Sequence, residues 1–246
     1  MHSTLFLIKK KNMVQAGFYA WSAVALATIF PLLNFSEQRK RLFFAYAILV
    51  SVWLLYVIIV SQSGVLADFS LPPRLPLLIV IPAIIGSIVI TCRSSFNEVL
   101  RHTPLHWPVY LQSFRIVVEL LIYGAFADGV FPERATFKGL NYDILSGLSA
   151  PVVAYLNQRG SISGKVLLIW NVIAMAILSV TVYAFISTYY FSDYLATGSS
   201  AFVRLPYLLL AAVLLPVAIF LHLFSLRQLK LRQGNVRTIG SKAPNR

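Results

Sequence analysis

The chain has 246 residues, of which 58% are hydrophobic and 12% charged, with a formal net charge of +13. So few charges cannot cover a water-exposed surface of this size, since an ordinary soluble domain carries about 25%, and intrinsic disorder requires low hydrophobicity. The single cysteine, Cys92, excludes a disulfide framework and any cysteine-rich metal or cluster site.

A helix that crosses the hydrocarbon of a bilayer needs about 20 mostly apolar residues. Seven segments meet that need, at about 13–33, 42–62, 75–92, 107–127, 141–157, 166–191 and 203–226. They are apolar on nearly every side, so they read as helices and not as the alternating strands of a barrel. Lys9, Lys10 and Lys11 precede the first segment, and Ala23-Val-Ala25 resembles a signal-peptide cleavage site. The apolar run continues to Leu33, which favours a retained anchor. The fifth segment is short and carries Gly147 and Pro151, a pair that invites a kink.

The basic residues are unevenly placed. The segment after Leu226 holds Arg227, Lys230, Arg232, Arg237, Lys242 and Arg246, and with seven spans it shares a side with Arg39–Arg41, Arg93, Arg101, Arg159 and Lys165. The opposite loops carry only Arg74, Arg134, Lys138 and Arg204. The positive-inside bias therefore predicts a cytoplasmic C-terminus and an outside N-terminus, although the lysine triplet opposes the latter. Residues 1–232 read as one transmembrane helical domain, followed by a basic, unstructured cytoplasmic tail at 233–246. Attraction to anionic lipid headgroups accounts for the positive charge, so nucleic acid is not an expected partner.

The most informative stretch is Trp107–Tyr123. Gln112, Arg115, Glu119 and Tyr123 recur at spacings of three, four and four, which puts them on one helical face. A charge near the middle of a span costs about 2.5–3.5 kcal/mol, so Arg115 and Glu119 must face protein or trapped water. Asn171 and His222 lie at inner depths comparable to Arg115, while Asp143 and Ser146 enter beside Glu119. The expectation is a polar core joining the last four helices, with Arg115 as an anion anchor and Glu119 as a proton- or cation-responsive partner. In the fifth segment, Asn141 suits an N-cap, Asp143 suits a first helical turn, and Ser146, Gly147, Ser149 and Ala150 allow close helix approach.

Glu98, His102 and His106 are spaced as metal ligands on a helix, but Pro104 and Pro108 break the helix and make this a weak candidate site. Gly160-Ser-Ile-Ser-Gly164 has Ile162 where a nucleophile elbow needs serine, and no phosphate loop or dinucleotide fingerprint occurs. No lysine lies within the seventh span, which excludes a retinal Schiff base.

The stretches Leu71-Pro-Pro-Arg-Leu-Pro76, His106–Arg115 and Phe137–Tyr155 resemble an uncharacterised group of bacterial seven-helix membrane proteins. The resemblance implies a bacterial inner-membrane setting and brings no activity, cofactor or ligand. The expected function is binding or translocation of a small ligand or ion. The alternatives are an accessory membrane subunit whose polar residues only fix packing, and an intramembrane lipid-modifying enzyme, for which no catalytic motif is present.

Overall fold

The computed structural model describes the backbone of residues 2–240 and the side chains of 12–232 other than Thr197. The described chain is helical throughout, with no strand among these residues. The main rods are α1 (His2–Ala27, with a short helix Phe30–Leu33 after it), α2 (Arg39–Gln62) and α3, a π-helical turn Pro76–Val80 continued by Ile81–Cys92. Next come α4 (Asn97–His102), α5 (His106–Ala127) and α6 (Asp143–Gln158). The last two are α7 (Gly164–Tyr190) and α8, a π-helical turn Leu210–Leu214 continued by Leu215–Gly240.

Five of these helices are long and apolar enough to cross a membrane, and a sixth arises if α3 and the bent segment Ser94–His102 count as one span, with 69° between them. The expected seven segments all contain helix, but α6 has 16 residues. At about 1.5 Å per residue it reaches roughly 24 Å, short of a hydrocarbon core of about 30 Å. Residues 233–240 have helical backbone, although the sequence suggests a loose tail there. Their side chains, and residues 241–246, lie outside the described residues.

The helices sort by burial. In α8, 61% of the apolar window is buried, against 11% in α2, so α8 is the hub and α2 the periphery. On α2, Phe44, Ile48, Val52, Leu55 and Ile59 are each exposed, and their spacing makes one continuous apolar face. A face of that kind suits acyl chains and not water.

Prolines dictate where α2 attaches. Pro82 and Pro216 lack an N–H, so each frees the carbonyl four residues earlier, at Leu78 and Ala212. An unpaired carbonyl is costly where no water can reach it. Tyr56 Oη donates to Leu78 O at 2.9 Å, and Trp53 Nε1 donates to Ala212 O at 2.8 Å. Tyr46, further along the same helix, donates to Leu26 O at 2.9 Å, where α1 is ending. Three aromatic donors thus fasten α2 to the weak points of its neighbours.

The loops gather at two ends. At one end, Ser36 and the Glu37 N–H donate to Glu98, while Arg227 donates to Asn97 and Arg232 to Thr103. At the other end, Tyr190 Oη accepts the Leu75 N–H, and Tyr189 and Tyr194 both donate to Val130 O. Ser70 and, less strongly, Arg74 at 2.5 Å hold the Asp68 carboxyl below its usual range in the loop at that second end.

Candidate functional site

Arg115 lies nine residues into α5, about 14 Å from the start of that helix. A 3-10 turn at Gln112–Phe114 interrupts the helix just before it. Both Arg115 and Glu119 are 1% exposed. The sequence left their partner open, and the structure assigns it: the carboxylate paired with Arg115 is Asp143 on α6, and not Glu119. Arg115 Nε donates to Asp143 Oδ2 at 2.6 Å, and Arg115 Nη2 contacts Asp143 Oδ1, which makes a side-on bidentate pair. The expected neighbourhood of Asp143 and Glu119 is shifted by one turn, because α6 starts level with Arg115.

That start is possible because residues 128–142 return into the bundle as an irregular segment with one short 3-10 turn, Glu133–Ala135. Ala135, Thr136 and Asn141 on this segment are fully buried. Irregular backbone among apolar helices must find partners within the protein; local backbone pairs such as Leu140 N–H to Arg134 O and Asn141 N–H to Thr136 O supply most of them, and the Asn141 side chain ties the segment to its neighbours. Its Oδ1 accepts the Asp143 N–H at 3.0 Å and the Thr181 hydroxyl at 2.7 Å. Its Nδ2 donates to Glu119 Oε2 at 2.7 Å and to Ala135 O at 3.1 Å. The sequence suggests Asn141 as the N-cap; in the structure the cap position is Tyr142, and Asn141, one residue earlier, accepts the Asp143 N–H and clamps Glu119.

Gly147 sets the spacing between α5 and α6. A Cβ there would meet Ile116 N and Ile116 Cγ1, each at 3.0 Å. The small residues of α6 therefore do bring the two backbones together, one turn beyond the Arg115–Asp143 pair. At its far end α6 closes on Gly160 at φ 71°, with Ser161 N–H bonded to Leu156 O and Gly160 N–H to Asn157 O. This is a Schellman stop, which favours glycine at position 160.

A second line of polar groups runs from Arg115 into α8 and α7. Arg115 Nη1 lies 3.0 Å from His222 Nε2, and His222 Nδ1 lies 3.0 Å from Asn171 Oδ1. A guanidinium has no acceptor, so Nε2 must accept and the proton must sit on Nδ1, donated to Asn171. His222 is therefore a neutral imidazole. Asn171 Nδ2 completes the line by donating to Leu167 O and to Ser225 Oγ at 3.0 Å. Gln112 is buried beside this line and donates to Ala218 O at 3.1 Å, while its own Oε1 has no partner among the described residues.

Tyr123 does not join the cluster. It is half-buried, stacked on Phe137 with centroids 4.9 Å apart and with Lys138 Nζ 5.1 Å from its ring centre. Of the weak metal candidates, Glu98 is engaged by Ser36 and Glu37, one helix ends at His102 and the next begins at His106, and no metal-type cluster occurs among the described residues.

The polar cluster walls one end of a cavity. Its volume is about 70 Å³, and it is partly open. Arg115, Glu119, Asp143 and Thr181 line that end, and Val80, Val118, Ile122, Leu178, Phe185 and Leu214 are typical of the rest. The π-helical turn of α8 contributes Leu210, Ala211 and Leu214. Thr181 is the site residue that sequence reading passed over, and Asn141 is legible there only as a cap. Nothing in its spacing distinguishes Thr181 from the other hydroxyl residues of α7. Comparison with known protein families, with curated proteins and with solved structures finds no match to this chain.

Proposed function

We propose that this protein is a seven-span bundle of the bacterial inner membrane that binds or passes a small molecule through the cavity at the Arg115–Asp143–Glu119 cluster. One observation carries the reading: three ionisable side chains on two helices wall one end of a largely apolar cavity inside the bundle. Ionisable groups at such depth are expensive and mark pathways and sites by default. The broken geometry supports it too, since an irregular segment that leads to a shortened helix is a recurrent way to line a site at mid-membrane. Under this reading 128–142 and α6 together make the fifth crossing, and the end that carries the basic residues of α2, α4 and α8 faces the cytoplasm.

A packing role has its own support, because Arg115, Asn141, Asn171 and His222 are all engaged within the chain. The two readings separate on Ala211→Phe, which fills the cavity from the π-helical turn without touching the polar pairs. Mass spectrometry of small molecules that travel with the purified protein should find a species lost from the Ala211→Phe variant, with both proteins eluting as single, folded species. An identical small-molecule profile for the two proteins rejects the ligand reading in favour of packing.

A further inference from the structure

The charges at the polar end of the cavity do not cancel. Arg115 carries one positive charge at any accessible pH, and Asp143 neutralises it through the side-on pair. His222 is neutral by the hydrogen-bond argument above. Glu119 remains. Among the described residues, one hydrogen bond reaches it, from the neutral amide of Asn141. An ionised Glu119 leaves the cluster with one surplus negative charge, and a protonated one leaves it neutral.

The groups that face Glu119 are few. From its own helix comes Arg115, one turn back and already paired; from α6 comes Asp143, a second carboxylate; His222 of α8 lies behind Arg115. From α7 comes Thr181, while Tyr189 and Tyr190 of α7, Leu75, and Pro76 and Val80 of α3 line the cavity further along, with the two phenols engaged at Val130 O and the Leu75 N–H. No free cation stands among them.

An anion is disfavoured, because the cluster already sets two carboxylates, Asp143 and Glu119, against the single guanidinium of Arg115, which is paired with Asp143. A hard metal cation is disfavoured as well. It asks for six or more oxygen ligands, and beyond the carboxylates and Thr181 the lining is largely hydrocarbon and aromatic. Those aromatic walls include Phe185, Tyr189 and Phe202, packed with centroids 5.0 Å apart in both the Phe185–Phe202 and Tyr189–Phe202 pairs. Aromatic faces attract a desolvated organic cation.

Resting on the ligand reading, we infer that the cavity takes a monovalent organic cation with an apolar body, which binds at Glu119 in exchange for the proton of its carboxyl group. The balance is simple: Glu119 releases one proton to solvent, and the carboxylate takes the cation as its counter-charge. No bond other than O–H breaks.

The test uses the full chain in lipid nanodiscs, with benzyltrimethylammonium as the cation and benzenesulfonate as an anion of similar size. The ammonium should bind, its affinity should rise by up to tenfold per pH unit while Glu119 is protonated in the empty protein, and about one proton should be released per cation. Glu119→Gln keeps an acceptor for Asn141, so it should fold; it should weaken ammonium binding at least tenfold and abolish the pH dependence. Glu119→Asp should retain that dependence. Preferred binding of benzenesulfonate, or ammonium binding that ignores both pH and Glu119→Gln, overturns the charge argument while leaving the cavity a ligand site. Binding of neither probe overturns the inference, and if the Ala211→Phe comparison also shows no lost molecule, the ligand reading fails with it.

Discussion

Asp143→Asn removes the charge that neutralises Arg115 while keeping the shape of the side chain. Arg115 is 1% exposed and Asp143 4%, so neither group has water to fall back on. Breaking a buried ion pair by removing one partner costs about 3–5 kcal/mol, because the remaining charge stays buried. Asparagine still offers one oxygen to Arg115 Nε, which places the expected loss near the lower figure, about 3 kcal/mol or roughly a hundredfold in the folded-to-unfolded ratio. Glu119 should cushion the loss, since it lies one helical turn from Arg115 and can take over as its counter-ion. The Asp143→Asn/Glu119→Gln double variant should therefore lose more than the sum of the two single losses. Replacing both members of the pair, Arg115→Met with Asp143→Leu, should restore most of the stability, as apolar replacements of buried pairs often do. Reversible unfolding in mixed micelles, followed through the four tryptophans, measures all of these. An Asp143→Asn variant within about 1 kcal/mol of wild type would refute the assignment of Asp143 as the counter-ion.

Gly147→Ala should destabilise by about 1–3 kcal/mol, because the added methyl meets backbone of α5 at 3.0 Å and backbone cannot step aside. Gly86→Ala, where nothing lies within 4 Å, should be neutral or slightly stabilising in the same unfolding assay. Trp53→Phe should cost about 1–3 kcal/mol by orphaning the Ala212 carbonyl. The cost should shrink in a Pro216→Ala background, where residue 216 regains an N–H for that carbonyl, and a double-mutant cycle on unfolding free energies reads the difference.

Composition and apolar run length determined that this is a helical chain with several segments suited to a bilayer; five of the segment limits fall within three residues of the helices found, while the first helix begins earlier than expected and the last begins seven residues later and runs to Gly240. The reason is that hydrocarbon imposes one rule, internal backbone pairing over a fixed length, that local sequence alone can satisfy. The same rule made Arg115, Glu119 and Gln112 stand out, since a polar side chain amid apolar neighbours is costly wherever it points. Tyr123 shows the limit of that reasoning: it shares their helical period, yet its amphipathic ring is content on the returning segment beside Phe137 and Lys138.

Pairing was decided by tertiary structure. Asp143 and Glu119 are both plausible partners for Arg115 by depth, and the choice depends on where α6 begins. That start is fixed by a long-range fit, with Gly147 against Ile116 and Asn141 hydrogen-bonded to residues of α5 and α7. The protonation pattern of His222 likewise follows only once Arg115 and Asn171 are seen on either side of it. Hydrophobicity is a property each segment carries alone, whereas a counter-charge is a relation between segments far apart in the chain, and only the folded packing specifies which two meet.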